Sequence, residues 1–586
     1  MSRKRLLLLL SPALLLIAGY FAVQVYLRAT IRDEEKATGN NLVREGKKTD
    51  TLGGKKVSAL DLRPHFVERL QQLLKKSSNG LYELTVGDLT VDVLASTIAL
   101  RNVTVRPDAK QLEALKASGL LPDDVFTFAF KNLHIEGVNL DDAITSKTMD
   151  YKLVKLVNPE IEIVHYKAGR TKPECDFTQR FLKEMQKLSL DKLVVQDGNI
   201  SVHDKQKGTT KRFANVQVLM KDILLNEETR ADKSRFLFAK EARLDFHDYS
   251  SRTKDGLYNL KIAGVSVNAA QKQITLNKFS FGSPLSKQAF VKKQKQAKEM
   301  YGLSIPTVTL TGVDWWSLLN EEDVLATEVE MRGGKFSVYF NRSLPSKKKL
   351  GNFPNQLLLK LPFKLDIARI KIRNLDLSYE EYNPLSQQSG TIYFDNASMD
   401  ITNAGNQNKA PVVVNGTALL MHQVPVRARF EFDMRRAKSG RFSASVHSAT
   451  PYAGSLLNSF TAPLGMMRVE KGELKKLDAT IRGDETGASG TVQVLYNDLK
   501  LALLEKDQGK TTLDKKDVTS LLANLVVLKK DNPKGGKTPR VEQGSFQRDP
   551  TGGFMMLVWK TILVGVLKSI GAPTKLAYKK QTAAKQ

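Results

Sequence analysis

From residue 82 onward the chain is written in a two-residue hydrophobic alternation, and no other feature limits its fold as strongly. In LYELTVGDLTVDV (81–93), Leu84 and Val86 share one parity, and Leu89, Val91 and Val93 share the other. Gly87-Asp88 stands at the break. TIALRNVTV (97–105) repeats the device, with Ile98 and Leu100 before the slip and Val103 and Val105 after it. The same alternation sets Ile161 with Ile163, Ile274 with Leu276, Ile370 with Ile372, and Phe430 with Phe432. Successive side chains on a strand point to opposite faces, so these runs predict sheets apolar on one face and polar on the other.

Asn, Gly, Asp and Pro punctuate the runs at hairpin intervals. LTVGDLTVDV, LHIEGVNL, LSLDKLVVQDGNISVHD, VTLTGVDWW and ARIKIRNLDLSY share one grammar of strand, polar turn and strand, at an irregular period. The expected fold is therefore mainly β with a minor α component: an elongated, twisted antiparallel sheet or groove of repeated strand-turn-strand units. Helical spacing predicts only a few short helices, at 62–76, 109–119, 178–188 and 286–301. Alternation alone does not decide whether the apolar faces close into a sandwich or stay open as a groove.

The first residues carry a different signal. Leu6 to Leu27 are 22 residues without a charge, enough at about 1.5 Å per residue to cross a hydrocarbon core of about 30 Å. Arg3, Lys4 and Arg5 precede this run, whereas acids and bases mix after it. This favours an uncleaved single-pass anchor with its N-terminus inside over a cleaved signal peptide, since the run is longer than a signal's apolar region and Gln24, Val25 and Tyr26 offer no small-x-small cleavage pattern. The expected organisation is a cytoplasmic stub (1–5), an anchor (6–27), a charged stalk (28–56) and a β-rich body (57–505). Polar loops and short elements (506–553), an amphipathic helix (554–571) and a basic tail (572–586) follow. In the 554–571 helix, Lys560, Thr561, Lys568 and Ser569 fall on one half of the circumference. Met555, Met556, Trp559, Leu563, Val566 and Leu567 fall on the other and are the candidates for membrane contact, with packing as a core helix as the alternative.

Lys and Arg outnumber Asp and Glu by 90 to 62, which predicts an anionic partner. A translocated body and the absence of nucleic-acid-binding motifs favour acidic lipid over nucleic acid. One cysteine, Cys175, allows no intramolecular disulfide. Enzyme signatures are missing as well. Gly509-Lys510-Thr511 and Gly536-Lys537-Thr538 hold only the second half of a phosphate-binding loop. The seven histidines are scattered, and Trp315-Trp316 reads as strand-end packing. No catalytic residue, metal site or cofactor is expected.

Two stretches, MDYKLVKLVNPEIEIVHYK (149–167) and LDATIRGDETGASGTVQVLYNDLKLALL (477–504), resemble the AsmA-like family of bacterial envelope proteins. In the second, Gly483, Gly487 and Gly490 precede Tyr496, Asp498 and Leu499; the C-terminal AsmA-like part covers about 361–505. FMMLVWKTILVGVLKSIG (554–571) also fits the tail of some members. The resemblance implies a β-groove like that of bridge-like lipid-transfer proteins. It implies a protein of the bacterial inner membrane with its body in the periplasm, serving phospholipid transport between membranes or outer-membrane homeostasis. Phospholipid or another acyl lipid is then the expected partner, with the inner membrane and a possible outer-membrane contact. Leu84, Val86, Ile98, Leu100, Ile161, Ile163, Ile274, Leu276, Ile370, Ile372, Phe430 and Phe432 would line the groove. The competing reading is a tethered scaffold that binds envelope proteins through a sheet edge.

Overall fold

The computed structural model describes, apart from isolated positions, residues 81–137, 148–166, 186–505 and 528–578, with short pieces between 67 and 80 and at 514–515. The expected anchor at 6–27, the stalk, Cys175 and most of the 62–76 and 178–188 helices lie outside the described residues. The protein is mainly β, with 57% strand and 16% helix. It divides into two compact units, residues 1–254 with 262–274, and residues 255–261 with 275–586.

Unit 1 contains β1 (Tyr82–Asp92), β2 (Thr97–Pro107), α1 (Ala109–Ala117), β3 (Asp124–Glu136), β4 (Thr148–Val157), β5 (Glu160–His165), β6 (Lys187–Asp204), β7 (Thr209–Leu225) and β8 (Ala239–Arg252). The boundary between the units falls within β9 (Asn259–Asn268) and β10 (Gln273–Gly282). Unit 2 continues with α2 (Lys287–Lys292), β11 (Met300–Thr311), β12 (Val324–Arg332), β13 (Lys335–Asn341), α3 (Pro354–Leu359), β14 (Leu365–Asn383) and β15 (Gln388–Gly405). Its C-terminal part holds β16 (Val412–Leu420), β17 (Val424–Phe432), β18 (Phe442–Ser448), β19 (Tyr452–Ala453), α4 (Asn458–Gly465), β20 (Met467–Gly483) and β21 (Gly487–Glu505). It ends with β22 (Asp514–Lys515), β23 (Glu542–Gln547), α5 (Phe554–Ile570) and α6 (Lys575–Tyr578).

The parity slips in the sequence are bulges. Gly87 and Asn102 are skipped where β1 pairs with β2, and Asn102 takes a left-handed φ of 50°. The extra residue rotates the strand by one position, so Leu84 and Leu89, of opposite parity, are both buried on unit 1's core side. Asp197 in β6, Lys278 in β10, Asn374 in β14 and Asp498 in β21 repeat the device, each with a φ between 48° and 56°. Short polar side chains tolerate this conformation best, which explains the Asn and Asp at most of these breaks. Bulges also sharpen the right-handed twist and bend the strand.

Both units build one topology. In unit 1, β3 pairs antiparallel with β4 and then with β5, and both lie parallel to the single long β6. In unit 2, β11 pairs in the same way with β12 and β13, and both lie parallel to β14. The sheet is thus mostly, not wholly, antiparallel. The corner between the paired short strands is Asn158-Pro159 in unit 1 and Gly333-Gly334 in unit 2. Gly334 has a φ of 108°, and a Cβ there would stand 2.1 Å from the Ser304 carbonyl oxygen. The repeat read from the sequence as strand, polar turn and strand is corrected: LTVGDLTVDV, LSLDKLVVQDGNISVHD and ARIKIRNLDLSY each lie in a single bulged strand, β1, β6 and β14, and the repeat that the units share is one of topology.

Three further expectations need correction. The helix predicted over 286–301 stops at Lys292, and Met300 already opens β11, because the lysine-rich stretch offers no apolar stripe beyond Val291. Within the polar stretch 529–553, Glu542–Gln547 form β23, paired with β21. In the same stretch Asn532 is buried to 1% exposure: its amide donates to the Val494 carbonyl at 2.6 Å, and its side-chain oxygen accepts from the Arg540 N–H at 2.8 Å.

The third correction is α5. It forms where expected, but its surroundings are the sheet: Leu557, Val558, Leu563, Val564, Leu567 and Ile570 are buried on β20, β21 and β23. The expected polar half is not the outer half. Thr561 and Ser569 are fully buried, with the Thr561 hydroxyl donating to the Leu557 carbonyl at 2.8 Å. Gly565 allows the close approach, since a Cβ there would lie 2.5 Å from the Cβ of Val492. Of the six residues named for membrane contact, Leu563 and Leu567 are core, Met556, Trp559 and Val566 are half-buried, and only Met555 is exposed. Seventeen predominantly apolar residues fit a sheet face as readily as an interface, and pattern alone does not separate the two.

Candidate functional site

The residues named for a groove fall into three environments. Leu84, Ile98, Leu100, Ile161 and Ile163 are buried in unit 1, with Val86 half-buried beside them. Ile274 in β10 is half-buried. Leu276, Ile370 and Ile372 are half-buried on one sheet face of unit 2. Phe430 and Phe432 belong to neither an open wall nor a cavity. The Phe554 ring of α5 lies over them at centroid distances of 5.9 and 5.3 Å, and Phe432 is 5% exposed. For these two the groove assignment is corrected: a helix occupies their face.

Unit 1 holds a cavity of about 120 Å³ between β3, the β4–β5 corner, β6, β7 and β8. Its walls include Phe128, Ile161, Ile200, Phe213, Met220 and Phe246. Gly198 widens it, because any Cβ there would come within 3.3 Å of both Pro159 and Val216. An apolar cavity of about this size stays dry and admits a benzene-sized guest, which matches a few methylenes and not a whole lipid. Among the wall residues only Arg243 carries a charge, and it is exposed at the rim.

The unit 2 face is larger and more open. Ile305, Val308, Val329, Ile367, Leu375 and Ala404 form its floor. Leu276, Phe279, Leu303, Leu310, Met331, Phe336, Leu365, Ile370, Ile372, Leu377, Met399 and Ile401 pack on that floor while remaining partly open. The helix α4 packs at the far end of β14 and β15, where the Asn383 amide donates to the Pro463 carbonyl at 2.8 Å, and α5 packs on β20, β21 and β23. At one end of the face Tyr258 stacks on Phe281 at 4.9 Å and meets Phe290 of α2 edge-on at 5.9 Å.

The opposite face of the same strands is charged. Lys371 pairs with Glu328 at 2.8 Å, and Arg373 and Arg369 share Asp400 at 3.0 and 3.1 Å. Hydrogen bonds from the two guanidiniums, Arg373 first, hold the Asp400 carboxyl below the usual range. A bulge at Asn374 keeps Ile370, Ile372, Leu375 and Leu377 in one apolar cluster despite their mixed parity. The face was legible in the alternation; that its twelve outer side chains stay partly open among the described residues was not.

Polar chemistry gathers at one place in unit 2. Arg342 forms a bidentate pair with Glu381, which is 4% exposed, and Tyr379 donates to the same carboxylate at 2.5 Å. Burial and the neighbouring Glu381 charge push the Tyr379 phenol well up. Lys560 of α5 faces this group, and burial, with the Arg342 charge, lowers its ammonium to about 8. The Arg342 guanidinium also reaches Met556 Sδ of α5 at 3.7 Å, which links the Glu381 pair on β14 to the helix.

Five of the histidines are paired on strand surfaces: His165 with Asp124 at 2.7 Å, His447 with Asp478 at 2.5 Å, His422 with Asp395 at 2.7 Å, His134 with Glu136 at 3.0 Å and His203 with Glu162 at 3.3 Å. Trp315 is buried at 7% exposure. Among the described residues no cluster of three or more His, Cys, Asp or Glu side chains is placed to hold a metal, and no helix is long and apolar enough to cross a membrane. No family model matches the chain, and no curated protein matches it.

Proposed function

We infer that the protein holds lipid acyl chains on apolar sheet surfaces, tethered to a membrane through Leu6 to Leu27, in the manner the AsmA-like resemblance implies. One observation carries the reading: the apolar face of β10–β15 in unit 2 keeps twelve large hydrophobic side chains only partly covered, over a reverse face that carries ion pairs. Soluble domains rarely leave a contiguous apolar surface of this kind without an occupant. Acyl chains suit it because burial is non-directional, about 0.8 kcal/mol per methylene, and needs no polar partner. The cavity of unit 1 adds a second, smaller apolar site with a cation at its rim. Movement of phospholipid between two membranes, or maintenance of the outer membrane, is the process such a carrier would serve.

A phospholipid bearing a diazirine on its acyl chain tests this on the full chain. Ile372→Asp is expected to lower photolabelling at least about fivefold, since a carboxylate on that face opposes acyl burial, with a cooperative melting transition retained at a lowered midpoint. Equal labelling of wild type and variant contradicts the reading. A protein captured in place of lipid supports the scaffold alternative.

A further inference from the structure

We propose that α3 and the loop before it dock unit 2 onto a bilayer surface that carries anionic headgroups. The element inverts the normal order of burial. Asn355 and Gln356 are buried at 0% and 4% exposure, while Leu350, Leu357 and Leu359 stand at 52%, 49% and 42%.

The buried polar residues hold the element in place. The Asn355 amide donates to the Arg441 carbonyl at 3.0 Å, and the Gln356 amide donates to the Lys438 carbonyl at 2.9 Å and to Glu485 at 3.1 Å. Phe353, fully buried, lies under the Arg548 guanidinium at 4.2 Å and against Phe442 and Phe554. Six residues of helix are thus fixed by their polar side and present leucine outward. A flexible loop would fold its leucines back; this one is prevented from doing so.

Charge identifies the occupant. Residues 343–364 contain Lys347, Lys348, Lys349, Lys360 and Lys364 and no Asp or Glu; Lys349 pairs with Glu299, and Lys364 with Glu321 and Asp323 at 3.3 Å, which leaves Lys347, Lys348 and Lys360 to face outward. Lys347, Lys348 and Lys360 are exposed, and so are Arg435, Lys438 and Arg441 on the loop that anchors the helix. The half-buried acid beside the helix, Glu485, is engaged by Arg548 at 3.1 Å. Leucine flanked by lysine suits the boundary between headgroups and acyl chains, where the apolar side chains insert and the ammonium groups remain at the phosphates. This docking does not depend on the acyl-chain reading, and a negative result for one leaves the other standing.

The full chain, held in a non-ionic amphipol, is floated with phosphatidylcholine vesicles or with phosphatidylcholine vesicles containing phosphatidylglycerol. Flotation is expected only with the anionic vesicles and should weaken as salt screens the lysines. Leu357→Asp combined with Leu359→Asp is expected to lower the bound fraction at least about tenfold. Both leucines are exposed, so the melting temperature should not change. A second variant, Lys347→Glu with Lys348→Glu, should lose binding to anionic vesicles without loss of fold. The proposal is overturned if the leucine variant floats like wild type, if neutral vesicles bind equally, or if a photocrosslinker at position 357 captures a protein while no vesicle binds.

Discussion

Two stretches of the same sheet in unit 2 have opposite fates. Around β16–β21 and β23, the apolar face lies under α5, and twenty-one buried residues form one cluster that includes Tyr496, Leu557 and Leu567. Across β10–β15 the same alternation leaves six residues buried and twelve half-open. Strand chemistry does not distinguish them, since Ile370 and Ile372 are at least as apolar as Val492 and Val494. The difference is the element laid on top. Whether an apolar sheet face becomes core or surface is decided by what the chain places against it, many residues away in sequence.

Removing α5 gives the largest expected effect. Deletion of 554–586 strips the cover from Val494, Tyr496 and Phe546 and leaves the Tyr496 hydroxyl without the Ser569 carbonyl, 3.0 Å away. Unit 2 should lose its cooperative melting transition in calorimetry, and a retained transition would show that α5 is an accessory. Next, Leu567→Ala should cost about 2–5 kcal/mol, because the side chain is 1% exposed, whereas Ile372→Ala should cost about 1 kcal/mol. Urea titration of both variants measures the gap; equal costs would mean that the β10–β15 face is packed after all.

A smaller loss is expected from Gly565→Ala, about 1–3 kcal/mol, since the new methyl must displace Val492. An effect of opposite sign involves Lys560, whose ammonium is lowered from 10.5 to about 8 by burial and Arg342. A lysine with a depressed pKa costs stability in full below pH 8. Between pH 8 and 10.5 the unfolded chain binds more protons, so stability rises with pH. Lys560→Met should remove that part of the slope and raise stability near neutral pH by about 2 kcal/mol, discounted for partial exposure. Melting curves of the two proteins across this window give the difference directly.

The sequence showed much of this fold because bulge and alternation are both local. The slip between Leu100 and Val103 marks the Asn102 bulge without any tertiary knowledge, and Ala109–Ala117 is helical where its spacing predicts. What stayed hidden was long-range. Nothing near Phe430 or Phe432 announces that Phe554 will cover them, more than a hundred residues later. Thr561 and Ser569 suggested a wet helix face, but their hydroxyls are absorbed inside the core. Nothing local sets Asn355 and Gln356 apart from surface polar residues, and only their buried hydrogen bonds to Arg441 and Lys438 reveal an anchor.

Photocrosslinking in cells addresses the contrast itself. A benzophenone amino acid is placed at position 372, on the open face, and in a second protein at position 432, under α5, with crosslinked species identified by mass spectrometry. Acyl lipid joined to position 372 and absent from position 432 is the predicted result. Lipid at neither position, or equally at both, would contradict the claim that the uncovered face is the one that holds acyl chains.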